Sequence, residues 1–150
     1  MEEPTRRLSP RARWVWRLQQ VGTWGVLVIA SVFVANAIDG LGLLPFAVLA
    51  ALVVSALAVP ALRWRRWRWD VRDEGIDIRQ GTLTIRRTLV PWVRVQHVDT
   101  RRGLLEQALG LATVVVHTAA GGHTIPLLAF DDAELLRDRI AELARTDADG

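Results

Sequence analysis

The side chains that do most protein chemistry are scarce here. Cysteine, tyrosine and lysine are absent, and the three serines, Ser9, Ser31 and Ser55, all precede residue 63. Without cysteine there are neither disulfides nor thiolate metal sites. Nucleophilic catalysis would rest on a threonine or a carboxylate, and no Gly-x-Ser-x-Gly elbow places one. The imidazoles are His97, His117 and His123. His117 and His123 flank one expected hairpin and are the best metal pair on offer, but two ligands without a nearby carboxylate seldom suffice. Ordinary sheet histidines are the expectation. Asp131-Asp132 is explained by helix capping, and Gly81 and Gly121-Gly122 are turn glycines without phosphate-loop spacing. The sequence therefore predicts a protein that is not an enzyme and has neither cofactor nor metal.

What remains is recognition by charge. All nineteen basic residues are arginine, and the formal charge is +3. Arg6, Arg7, Arg11, Arg13 and Arg17 stand in residues 1–20 against Glu2 and Glu3, while residues 129–150 are acidic. The arginines cluster beside apolar stretches instead of forming one stripe, so nucleic acid is excluded as a partner. Arg63, Arg65, Arg66 and Arg68 alternate with Trp64 and Trp67, as residues at a lipid headgroup interface do, although Trp67 and Trp69 fit equally well as the start of a strand that fills the soluble core. Arg86-Arg87 and Arg101-Arg102 are two further paired sites at strand ends. These ten residues are the candidates for contact with anionic headgroups or with a protein.

Those candidates need elements to position them. Val21 to Ile38 and Leu41 to Leu62 are uncharged apolar runs meeting at Asp39-Gly40. As helices they would be roughly 27 and 33 Å long, close to the ~30 Å hydrocarbon thickness of a bilayer. Arginines lie outside both ends and none in the turn, which predicts a transmembrane hairpin with both flanks cytoplasmic. Ala35-Asn36-Ala37 resembles a signal-peptidase site, but the run is long for a signal and a second run follows almost at once. A buried helix pair in a soluble bundle would carry a polar stripe, which these runs lack. The expected organisation is a cytoplasmic basic segment (1–20), a hairpin (21–38 and 41–62), a cytoplasmic domain (63–145) and a frayed polar tail (146–150).

After Leu62 the period becomes alternating. Trp67 to Arg72 and Ile76 to Arg79 alternate around the turn Asp73-Glu74-Gly75. Leu83, Ile85 and Leu89 follow, then Trp92 to Val98, the apolar Leu111 to Thr118, and His123 to Leu128 after the loop Ala119 to Gly122. Six short strands predict an antiparallel sheet or small barrel. Leu104, Leu105, Ala108 and Leu109 fit a short helix stopped by Gly110. Asp131 or Asp132 starts a final helix whose apolar face is Leu135, Leu136, Ile140 and Leu143. Its opposite face displays Glu134, Asp138 and Glu142.

Asp73-Glu74-Gly75-Ile76, Gly81-Thr82-Leu83, Val90 to Val98, Leu109-Gly110-Leu111-Ala112 and His117 to Gly121, in that order, resemble the bacterial PH-like membrane-flanked domain over residues 67–144. The resemblance implies a PH-like split barrel of antiparallel strands closed by a C-terminal helix, and little biochemistry. Phosphoinositide-binding PH domains place basic residues around the first hairpin. Arg72-Asp73-Glu74-Gly75 is net negative, so that specificity is not expected. The fold class is an α+β membrane protein, a two-helix transmembrane hairpin followed by this barrel and its capping helix. The expected role is a non-catalytic scaffold or regulatory module at the inner leaflet, binding an unidentified protein or itself. The alternative is an anionic-lipid sensor.

Overall fold

The computed structural model describes residues 4–148. It forms two compact units, one of residues 13–62 and one in which residues 4–12 join residues 63–148.

The first unit is helical. Helices α1 (Ala12–Ala37) and α2 (Leu44–Arg66) contain the two apolar runs and are about 39 and 35 Å long at 1.5 Å per residue. Both extend past the expected spans at their arginine-bearing ends, and the connection covers residues 38–43 instead of a two-residue turn. The extension has a local cause. No glycine or proline separates Pro10 from the first apolar run, so helix starts as soon as the Ser9 hydroxyl accepts from the Arg11 N–H. Val26, Phe33, Phe46 and Val54 are 65–73% exposed, a surface suited to lipid. The polar side chains in the runs are satisfied within their own helix. Thr23, Ser31 and Ser55 hydroxyls donate to the Gln19, Val28 and Leu52 carbonyls, and the Asn36 amide donates to Val32. Without water, such groups must be paired internally.

The second unit holds two three-stranded antiparallel sheets. In the first, β1 (Arg68–Arg72), β2 (Gly75–Gly81) and β3 (Ile85–Pro91) form a meander. In the second, β4 (Val95–Arg101), β5 (Leu111–Thr118) and β6 (Gly121–Ala129) do the same. Trp92–Arg94 is a 3-10 turn where the sequence suggested strand. Trp92 is buried there, and its indole N–H donates to the Arg72 and Asp73 carbonyls, fastening the β1–β2 turn to the link between the sheets. Helix α3 (Leu104–Leu109) ends as expected at Gly110 in the left-handed conformation. Helix α4 (Phe130–Ala148) packs on β4, β5 and β6 through Ala133, Leu136 and Ile140. Leu135, expected on that face, is 70% exposed, because the packed stripe follows positions 133, 136 and 140. The expected tail is helical through Ala148, and Asp149 and Gly150 lie outside the described residues.

The core combines Ile76, Ile78, Val90, Leu111, Val114, Val116 and Ile125 with Trp67 and Trp69. It also contains Leu8, only 2% exposed. Arg6 bridges Trp69 in antiparallel fashion, with reciprocal 3.1 Å backbone bonds, and the Ser9 N–H donates to the Leu127 carbonyl. The basic segment is thus a working part of the sheet unit, although the sequence suggested only a charged flank. Removing most of a buried leucine costs about 2–5 kcal/mol. Leu8→Ala is therefore expected to lower the thermal unfolding midpoint of the detergent-solubilised chain clearly, while the exposed Thr5→Ala leaves it near wild type.

Candidate functional site

A concavity of the sheet unit lies where this N-terminal segment and β1 meet the end of β6 and the first turns of α4. It encloses about 780 Å³, lined by Arg6, Arg7, Leu8, Trp69, Val71, Leu128, Asp132, Leu135, Leu136 and Arg139 among others. Its floor is apolar and its rim charged. Arg6 lies over the Trp69 ring at 5.3 Å and 3.9 Å from Asp70. Arg7 lies 5.6 Å over the Trp64 ring, whose indole N–H donates to the Leu8 and Ser9 carbonyls. Trp64 therefore anchors the wall of the groove. Sequence reasoning missed Arg6, Leu8 and Ser9, and the one available signal was a lone leucine inside a basic segment.

The arginine and tryptophan candidates do not converge on one site. Trp67 is buried at 5% exposure, which corrects its expected place at an interface: it begins the core as the residue leading into β1. Arg66 donates to the Thr82 carbonyl, and Arg68 donates to the Trp64 and Trp67 carbonyls. Arg63 is half-buried. Arg87 is engaged inside the sheet, through a two-pronged contact with Asp77 at 3.0 and 2.6 Å. Asp77 is 2% exposed and also meets Arg72 at 3.1 Å. The two arginine side chains cover Asp77 and supply its countercharge. Arg102 donates to the Leu111 carbonyl and lies 4.3 Å over the Phe130 ring. Arg65, Arg86 and Arg101 are left as exposed guanidiniums with no ion pair among the described residues.

The acids of α4 are mostly engaged too. Arg137 meets Glu134 at 2.9 Å and Asp138 at 2.8 Å, and Arg139 meets Glu142 at 3.3 Å. The Asp138 hydrogen bond, aided by the charges of Asp138 and Glu134, holds the Arg137 guanidinium above the ordinary arginine value. The expected acidic face is a self-paired helix surface.

The histidines are arranged differently from the expected pair. His117 lies opposite His97 of β4, whereas His123 lies opposite Val116, on the other side of the sheet. His117 and His123 thus point away from each other.

Two long apolar helices, two three-stranded antiparallel sheets and a closing helix define a membrane protein with a PH-like domain. The family model described as bacterial PH domain matches residues 24–144, and the chain belongs to that family. It is 37% identical over 155 residues to the transmembrane protein YdbS of Bacillus subtilis strain 168, covering 99% of this chain and 98% of YdbS. It is also 23% identical over 96 residues to the transmembrane protein YdbT of the same strain, covering 61% of this chain and 20% of YdbT. No solved structure matches the chain.

The division of the arginines is testable through stability. Breaking a buried ion pair by removing one partner costs about 3–5 kcal/mol. Losing Arg87 leaves the buried Asp77 with Arg72 alone and is expected near the low end of that range, whereas Asp77→Ala leaves part-exposed guanidiniums that can turn to water and costs less. Arg86→Ala and Arg101→Ala should unfold with the wild-type midpoint in the same thermal scan.

Proposed function

We propose that this chain is a non-catalytic, multi-pass membrane module whose PH-like unit binds a segment of another protein in the groove beside α4. The observation that carries this reading is the groove itself, where the exposed Leu135 stands beside Arg6, Arg7 and Arg139 over the buried Leu128 and Leu136. A leucine 70% exposed at the mouth of a large concavity is a place for an apolar anchor. Arg6 and Arg139 already meet Asp70 and Glu142, so Arg7 is the rim charge that favours an acidic residue beside that anchor. The hairpin keeps the module at the membrane, so a modest affinity for a membrane-bound partner suffices. Gly22 and Gly25 of α1 have open space around them, which leaves room for a second copy of the hairpin.

The side of the membrane follows from two supports. That residues 4–12 and 63–148 build one unit supports an arrangement with both ends of the hairpin on the same side. The arginines at those ends, with none in the connection, favour the cytoplasm as that side. The natural absence of cysteine makes a direct test simple. Asp39→Cys is expected to react with a membrane-impermeant maleimide in intact cells. Thr5→Cys and Asp147→Cys are expected to react only after the membrane is opened; labelling of either in intact cells would reverse the topology.

A second reading, attraction to anionic headgroups, is favoured by Arg65, Arg86 and Arg101, and weakened by the engagement of Arg87 and Arg102 within the protein. A photo-crosslinking residue placed at Leu135, and separately at Arg86, distinguishes the two in native membranes. The groove reading expects protein adducts at position 135 that disappear when Arg7 and Arg139 at the rim are changed to Glu. Lipid adducts at position 86, with no protein adduct at 135, would replace it with the headgroup reading.

A further inference from the structure

His97, Asp99 and His117 lie on one side of the β4–β5 pair. Asp99 follows His97 by two residues on β4, and His117 is the direct partner of His97 on β5. That register depends on an irregularity: pairing runs from Val95–Thr118 to His97–His117, so Gln96 is an extra residue that re-aims His97. The two imidazole rings stack with centroids 4.2 Å apart and planes 11° from parallel. Nε2 of His117 is 3.2 Å and Nε2 of His97 is 3.6 Å from the same Asp99 oxygen. All three donor atoms fall within 4.8 Å of one another. Among the described residues Asp99 meets no arginine, and both its ionisable contacts are these imidazoles.

We infer that His97, Asp99 and His117 form a binding site for a divalent transition-metal ion of the Zn2+ class. Two imidazole nitrogens and a carboxylate oxygen suit such an ion, with water completing its coordination. A tetrahedral ion with bonds of about 2.0–2.2 Å holds its ligand atoms roughly 3.3–3.6 Å apart, near the separations already present. The stacked rings must tilt toward each other to bring both in-plane lone pairs onto one ion, and their exposure to solvent leaves room for it. The ion would link β4 to β5 on the face opposite Val114 and Val116. Arg101, next on this face beyond Asp99, is a cation on the same side of β4. The carboxylate that His117 and His123 lacked in the sequence comes from the neighbouring strand.

The test uses the full chain in detergent, carrying a histidine-free tag and stripped with a chelator. Titration with Co2+ and competition with Zn2+ are expected to give one bound equivalent and a visible cobalt absorption band. Even outer-shell partners of a metal are worth about 10–100-fold in affinity, so losing a direct ligand should cost at least about tenfold. His97→Ala, His117→Ala and the isosteric Asp99→Asn should each weaken binding by that factor while keeping the metal-free unfolding midpoint. His123→Ala, on the other face, should bind as wild type. Wild type binding no better than the His97→Ala, His117→Ala double variant overturns the site, and so does an equal loss in His123→Ala.

Discussion

Backbone pairing between Arg6 and Trp69 joins chain from before the first membrane helix to chain from after the second, with reciprocal bonds of 3.1 Å. The rest of the structure depends on it. It gives β1 a neighbour on the side away from β2, inserts Leu8 into the core and forms one wall of the groove. It also bears on the proposed topology without reference to charge, because a unit built from both flanks cannot be assembled across a bilayer. The proposal of a cytoplasmic side rests on this pairing together with the arginine placement.

Electrostatics divides the arginines by what surrounds them. Burying Asp77 would be costly alone, and the two-pronged contact with Arg87 together with Arg72 makes it tolerable. Arg102 and Arg66 hold carbonyls at strand ends, Arg137 and Arg139 hold the acids of α4, and Arg7 shields a tryptophan. A chain whose basic residues are all arginine suits this use, since the planar guanidinium makes several directed hydrogen bonds and stacks on rings. The high net basicity of the sequence is therefore largely consumed within the protein. That moves the weight of the functional reading from a headgroup surface to the groove.

What was legible in the sequence came from local pattern. Continuous apolar runs gave the hairpin, alternation gave the strands, and the spacing of Leu104 to Gly110 gave α3 with its stop. The family resemblance, quoted from short motifs in order, agrees with the match over residues 24–144. What stayed hidden depended on partners distant in the chain or on register. Leu8 and Trp69 are about sixty residues apart, and no local period announces a strand in a basic segment. The burial of Asp77 carried no local signal because its arginines stand on other strands. His97 faces His117 only because of the extra residue Gln96, and a one-residue slip moves a side chain to the opposite face. Trp67 read equally well as an interfacial or a core residue, since an indole suits both, and only packing separates them.

The pairing of the two flanks is best tested by a disulfide across it. Thr5 lies opposite Asp70, next to the bonded pair Arg6–Trp69, with the Thr5 hydroxyl 3.1 Å from the Asp70 carboxylate. Adjacent non-bonded antiparallel pairs have Cα atoms about 4.5 Å apart, within disulfide range. In this cysteine-free chain, Thr5→Cys with Asp70→Cys should oxidise in native membranes to an internal disulfide, read as a mobility shift on a non-reducing gel. No disulfide, with both cysteines still reactive toward maleimide, would contradict the account.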